Sequence, residues 1–374
     1  MATAPGDYRI LTEPETEPLR SWFRPMLEHG STFCAPNLQT GLAFLRTPSM
    51  ELPLSINEAE WDNSWICSPW NHYVTYAKEE IARATGGTAG AIAATVLDGI
   101  GAWLRKAQFN KVVMVNNWLL STNSWPAWEA HDLPEVVEAL ATRWPDHAIL
   151  FRSLNGRESA PLIGSFEAAG GQLVPSRQVW WYGAGSAPVA KSPDFRKDVR
   201  LLRRGDLTVV PDEELRADDF PALLALYDSL YLGKYSRHNP QFTGEWLRHL
   251  HTEKLARFTA LRDAAGTLVG VEACAVLNGI LTSPIVGYDL GLPKSLGLYR
   301  RLAALPILEG RRLGLPLNLS AGVGRYKALR GGEAVMEYIG VCDRHLPLSR
   351  RLPWKVIGWI SRKILAPYVT RNGL

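Results

Sequence analysis

The apolar positions of this chain follow two rhythms. KVVMVNNWLL (111–120), AILFRSL (148–154) and QLVPSRQVWWYG (172–183) carry runs or alternations rich in Val, Ile and aromatic residues, which predicts strands. IARATGGTAGAIAATVLDGIGAWLRKA (81–107), LPEVVEALATRWP (133–145) and PLIGSFEAAGG (161–171) predict helices, the second closed by Pro145 and the third by a glycine pair. Strands alternating with helices imply an α/β layer architecture. Residues 1–60 are Pro-rich and weakly periodic, so they are expected to form an irregular lead-in with short elements.

GAGSAPVAKSP (183–193) is small, flexible and without period. It marks the expected boundary between a first domain over 1–190 and a second over 191–374. The second half opens on a basic helix (195–204) and a short strand, LTVV. An amphipathic helix then starts from the acidic cap residues Asp218 and Asp219. ARFTALRD, LVGVEACAVL and ILTSPIVGYDL follow as three strands, joined by AAG and NG turns whose residues supply the positive φ that tight hairpins need. The helix LGLYRRLAALPILEGRRLG ends at Gly314, the strand LPLNLSAG comes next, and VMEYIGVCD is the last strand.

Composition narrows the class. The 374 residues are 46% hydrophobic and 21% charged, as in a soluble globular protein with room for two cores. The longest apolar stretch, 86–104, is rich in Gly and Ala and carries Asp98, so it predicts a buried helix and no transmembrane segment. The N-terminus has acids and no apolar core, which argues against a secretory signal and makes the cytoplasm the default compartment. Cys34, Cys67, Cys274 and Cys342 are scattered with no CxxC pair, so neither a disulfide framework nor a metal site is expected. Hydrolase, zinc-protease, Walker and dinucleotide fingerprints are missing as well. Net charge is only +4, yet seven Lys/Arg and no acid occupy the stretch from Arg344 to the end. That stretch is either a solvated basic tail or a surface for phosphates.

Two segments carry a resemblance: FRKDVRLLRRGDLTVV (195–210) and GRYKALRGGEAVMEYIGV (324–341). With the order helix, three-strand meander, helix, strand, helix, strand, the second half resembles the GNAT acyltransferase superfamily. The likeness is to its tandem forms, the Fem-type aminoacyl transferases and the cellulose-biosynthesis-type acetyltransferase-like proteins. It covers about 180 residues well, and the first half follows as a degenerate repeat. The fold implied is α/β (α+β): two tandem GNAT-like domains, each a mixed, mainly antiparallel sheet with flanking helices. The Arg/Gln-x-x-Gly-x-Gly/Ala loop of acyl-CoA members is replaced here by DLGLPKSLGLYRRL (289–302).

The resemblance implies an N-acyltransferase that holds no permanent cofactor. Its co-substrate would be aminoacyl-tRNA, slightly favoured by the missing loop motif and the basic C-terminal stretch, or acyl-CoA. The acceptor would be the amine or hydroxyl of a small molecule, and tRNA a possible partner. In that fold Arg325, Lys327 and Arg330, with Lys294 and Arg300, would hold the donor. Tyr326, Asp289 and His238 would border the chemistry, and Tyr235, Arg237, Tyr73 and Asn116 would meet the acceptor. Each has a plainer reading: Arg325 to Arg330 as an exposed helix turn, Asp289 as a turn cap, His238 as a structural loop residue. Glu337, a carboxylate among apolar neighbours, either pairs with Arg325 or Arg330 or acts as a general base. WDNSWICSPWNHYVTYAKEE (61–80) is either aromatic core or a pocket wall. A non-catalytic ligand-binding pair of domains is the alternative from another class. A lesser one is a peripheral membrane role for LPWKVIGWISRKILAPYV (352–369).

Overall fold

A computed structural model describes residues 8–76, 78–79, 87–129 and 132–372. The chain packs as two compact units. The first holds Met1–Ser176, His238–Gln241 and Tyr338–Leu365, and the second Arg177–Arg237, Phe242–Glu337 and Ala366–Leu374.

The first unit begins with more order than its prolines suggest. Strand β1 (Arg9–Leu11) pairs antiparallel with β2 (Gly41–Arg46), which pairs with β3 (Glu51–Asn57). A helix, Leu19–His29, lies between β1 and β2 in sequence. Leu19, Trp22, Phe23, Pro25 and Met26 are its buried residues, and Leu19, Trp22, Phe23 and Met26 follow the spacing of one helical face. The irregular lead-in is therefore corrected to a helix and three paired strands; the prolines hid a 3.6-residue rhythm. β4 (Val112–Val115) joins β3 antiparallel and β5 (Ala148–Asn155) parallel. The strand expected over 111–120 stops at Asn116, whose φ of 56° turns the chain. The helix expected over 81–107 is described as Gly87–Lys106, and residues 81–86 lie outside the described residues, as do 1–7 of the N-terminus. Helices Asp132–Arg143 and Ala160–Ala168 fall where their periodicity places them. Leu133, Val136, Leu140, Phe151, Leu162 and Phe166 of these elements share one core. β6 (Gln172–Tyr182) and β12 (Glu333–Cys342) are divided between the units at Ser176 and Glu337.

In the second unit β7 (Thr208–Pro211), β8 (Arg257–Arg262), β9 (Leu268–Leu277) and β10 (Ile280–Tyr288) pair antiparallel in sequence order. Asn278 and Gly279 turn β9 into β10 with positive φ at both positions, 51° and 77°, as the NG pair requires. Only two residues form β11 (Leu317–Asn318), which is parallel to β10 and antiparallel to β6. The fold is mixed α/β with a mostly antiparallel sheet. The supposed flexible joint carries the short helix Ala187–Lys191 before the basic helix Pro193–Leu202. Among the described residues, no helix is long and apolar enough to cross a membrane, and no group of His, Cys, Asp and Glu gathers as a metal site.

Candidate active site

The second unit's sheet contains an opening. β10 pairs with β11 only at Leu281 and Thr282, whereas its pairing with β9 continues to Tyr288. A bulge at Ser283–Pro284 sets two residues of β10 against one of β9 and ends the parallel ladder. Among the described residues, Ile285 to Tyr288 of β10 thus have a ladder partner on one side only. At Gly287, helix Phe220–Asp228 comes so close that a Cβ would lie 2.4 Å from the Tyr227 nitrogen. The strand and that helix are locked there by a residue without a side chain.

Tyrosines converge near the end of this strand. Tyr227 stacks on Tyr231 at 4.8 Å, and Tyr231 meets Tyr235 at 6.0 Å. Tyr288 faces Tyr299 at 6.3 Å, and Tyr299 meets Tyr326 edge-on at 4.9 Å. Burial, reinforced by Tyr231, Tyr235, Tyr182 and Tyr288, raises the Tyr299 pKa, so its phenol stays protonated. Tyr231 and Tyr235 ride on a π-helical segment, Ser229–Tyr235, a distortion often found at functional sites. Asp228 precedes it. Burial raises the pKa of Asp228, and its Oδ1 is buried without a hydrogen-bond partner among the described residues.

Behind the tyrosines, the dense cluster of 325–330 is organised by one fully buried anion, Asp198. Its Oδ1 accepts from Arg300 Nε at 2.7 Å, and its Oδ2 accepts from the Tyr326 hydroxyl at 2.7 Å and from Arg330 Nε. Arg330 also donates to the Tyr326 carbonyl at 3.0 Å and lies 3.3 Å over the Tyr326 ring. Lys327 is buried and gives its ammonium protons to the carbonyls of Leu319, Ser320 and Ala321 at 2.6, 3.3 and 2.9 Å. Burial, then the nearby Arg177 cation, pushes its pKa down to about 7. Lys327 therefore holds the loop that follows β11. The glycine pair has a packing cause. At Gly331, φ is 85° and a Cβ would meet the Val189 nitrogen at 2.6 Å; at Gly332 it would meet the Tyr182 ring at 2.8 Å.

Glu337 is 2% exposed and accepts from Arg177 Nε and Nη2 at 2.7 and 3.2 Å. The pairing is a two-nitrogen fork, and its partner comes from β6 instead of Arg325 or Arg330. Asp289 accepts from the Gly291 N–H at 2.7 Å, the turn-capping geometry. Lys294 and Arg325 are exposed, and Arg300 is half exposed despite its pairing with Asp198. Tyr235 and Arg237 are exposed in the second unit.

Three sequence candidates lie in the first unit. The His238 carbonyl accepts from the Trp65 N–H at 3.0 Å and the Ser64 hydroxyl at 2.9 Å. Tyr73 packs on His72 at 4.6 Å within the core that contains Trp354 and Phe109. Asn116 is fully buried, donating to the Ser124 carbonyl and accepting from the Trp118 indole N–H at 2.8 Å. In the 61–80 segment, Trp65 and Tyr73 are buried and Trp61, Trp70 and Tyr76 partly so. Arg105 lies 4.1 Å over Trp70, and Asn71 donates to the carbonyls of Trp61 and Asn63 at 2.8 Å each.

Asp198 and Arg301 escaped the sequence reading, although each left a signal. Asp198 sits three residues after Phe195, on the apolar stripe of an otherwise basic helix. Arg301 sits between Leu298 and Leu302 and is fully buried, donating to the Leu296 carbonyl at 2.9 Å and to Asp206 at 2.6 Å. A charge at an apolar position of a helix marks a buried pair.

No family model matches this sequence, and no curated protein matches it. Solved structures with a similar arrangement include L-PGS from Bacillus licheniformis, at 15% identity over 61% of this chain and 79% of that one, with a TM-score of 0.43. FemX is similar at 8% identity over 61% and 78%, with a TM-score of 0.46. A tandem GNAT protein from the clavulanic acid biosynthesis pathway is similar at 11% identity over 88% and 90%, with a TM-score of 0.41. At these identities and scores, the likeness is one of element arrangement and does not bear on what this chain acts upon.

Proposed function

We propose that the second unit is an acyltransferase, moving an activated acyl group onto the amine or hydroxyl of a small acceptor. The observation that carries this reading is the half-open end of β10. Residues 285–288 present backbone groups beside a bulge, next to six clustered tyrosines and the half-buried carboxyl of Asp228, whose Oδ1 has no hydrogen-bond partner among the described residues. An acyl carbonyl laid along that edge would receive backbone N–H bonds as its oxygen gains charge, the kind of preorganised stabilisation acyl transfer needs. The tyrosines supply aromatic walls and protonated hydroxyls for orientation.

The roles divide by exposure. Of the five donor candidates, Lys294, Arg325 and Arg300 have solvent access, and they are assigned to the donor. Arg330 and Lys327 are buried and bonded internally, so they shape the site from behind. Tyr235 and Arg237 are assigned to the acceptor. Asp228, with Asp289 as the other carboxylate near the strand end, is assigned to take the proton of the attacking group: a carboxylate held up by burial and awaiting a partner suits a base. Glu337 keeps Arg177 in place.

A donor on a small carrier such as CoA is favoured over a charged tRNA. Of the C-terminal cations, Arg350 bonds Gln108 and the Asp146 carbonyl, and Arg362 bonds the Leu173 carbonyl at 2.9 Å, so both are already engaged. The test is transfer of labelled acyl groups from acyl-CoA and from charged tRNA to a panel of small amines over a range of salt. Transfer from acyl-CoA with a shallow salt response supports the reading. Use of charged tRNA, with a log–log slope of about −0.7 to −0.9 per phosphate contact, would reverse the donor assignment. No transfer from either, with a ligand still bound, would favour a non-catalytic binding role.

A further inference from the structure

The first unit contains a cleft of about 560 Å³ that the acyl-transfer reading does not use. Its volume is in the range of small-molecule sites, about 300–1,000 Å³. Leu133, Val137 and Phe166 supply an apolar floor, continuous with the core of that unit. Arg344, Arg351 and Lys355 stand on its rim. Two carboxylates, Glu138 and Asp343, also line it.

The polar side is incompletely satisfied. Arg351 Nε and Asp343 Oδ2 are both buried without a hydrogen-bond partner among the described residues. Burial raises the pKa of Asp343, against the pull of Arg351, His345 and Lys355. Leaving a buried guanidinium nitrogen unbonded is costly, so a site that supplies an acceptor there gains from being filled. An apolar floor below a cationic rim matches a ligand with an apolar body and an anionic head.

We propose that this cleft binds an amphipathic anion, a carboxylate or phosphate monoester carried on an alkyl chain, with its head on Arg351 and Lys355 and its chain over Val137 and Phe166. The site lies wholly within the first unit, so the inference is independent of the chemistry assigned to the second.

The test is calorimetric titration of the full chain with dodecanoate, dodecyl phosphate and dodecanol, each below its aggregation concentration. Saturable one-to-one binding of an anionic probe is expected, with dodecanol weaker by about tenfold or more, the scale of a charge-assisted hydrogen bond. Whichever anion binds more tightly identifies the head group. Arg351→Met with Lys355→Met keeps the apolar stems and should weaken anion binding by at least about tenfold while sparing dodecanol. Ala141→Trp, on the cleft wall, should block all three probes. Glu138→Gln removes an opposing charge and should tighten anion binding. Thermal melts identify variants that fail to fold; for those, the Glu138→Gln arm and the probe series still decide. Equal affinity for dodecanol and dodecanoate, no saturable binding of either anion, or full binding by a folded Ala141→Trp protein would overturn the proposal.

Discussion

Each unit buries a large polar cluster, and the two clusters are built on opposite principles. In the first unit the buried groups are mostly neutral. Asn117 donates to Ser55 Oγ at 2.7 Å and accepts from Arg152 Nη1 at 3.1 Å. Asn110 bonds Ser68 and the Glu60 carbonyl, and Asn63 bonds both backbone groups of Gln39. These amides stand in for backbone partners and fold loops down onto the core. In the second unit the cluster is ionic, one aspartate shared among two arginines and a tyrosine. A neutral network closes a structure at modest cost per member. An ionic one fixes a small number of side chains rigidly and fails badly if its shared anion is lost.

The largest effect is therefore expected at Asp198. Asp198→Ala leaves Arg330 buried without its carboxylate and should cost about 3–5 kcal/mol of stability, read by urea denaturation. A loss below about 1 kcal/mol would mean that Arg330 escapes to water and that the cluster is not the organiser of the turn. Arg330→Ala should be destabilising as well, so its activity is informative only in protein shown to be folded.

Removing a neutral member should cost less. Asn117→Ala strands the Ser55 hydroxyl and one Arg152 bond, for an expected loss of about 1–3 kcal/mol by the same measurement. A cost equal to that of Asp198→Ala would mean that the neutral and ionic clusters do not differ in this way. Arg152 makes the comparison sharper, because its guanidinium is held by the Ile66 carbonyl at 2.8 Å and lies 5.4 Å from the Trp65 ring.

Lys327 contributes a pH signature peculiar to the second unit. Its folded pKa, about 7, lies below the ordinary lysine value of 10.5. Between those values the unfolded chain binds a proton that the folded one does not, so stability rises with pH through that window. Below about 7 both states are protonated and the burial penalty is present in full. Urea denaturation of wild type and Lys327→Met at pH 7, 8 and 9 should show wild type gaining on the variant as pH climbs, by at most about 1.4 kcal/mol per unit. Parallel curves would mean that the three carbonyls keep the ammonium charged.

These differences also explain what could be read from the sequence. Beyond the Pro-rich first 60 residues, most strands and helices followed from period, and Asn278–Gly279 announced its turn. Glu337 was recognisable as a buried carboxylate needing an arginine, but its partner, Arg177, is 160 residues away on β6, beyond the reach of local pattern. The 325–330 cluster stands out by its charge density, whereas the residue that organises it, Asp198, is one acid within a helix of mostly basic charge. Asn116 and Tyr73 looked like site residues because asparagines and aromatics line pockets. The same residue types serve equally well to fold loops into a core.

The smallest effect on stability is expected at Arg325, and it bears most directly on function. Arg325 shares the turn with Arg330 and Lys327 but is exposed where they are buried. Arg325→Ala should leave the denaturation midpoint within the scatter typical of surface substitutions, about 0.5 kcal/mol. If the turn faces a donor, the same change should raise the donor KM by up to about tenfold with kcat nearly unchanged, since a phosphate contact is made alike in ground and transition states. Asp228→Asn should do the reverse, lowering kcat and removing the acidic limb of its pH profile while KM for the donor stays put. Should Arg325→Ala leave donor KM untouched in an active enzyme, the exposed part of that turn is surface, and the donor's contacts must be sought at Lys294 and Arg300.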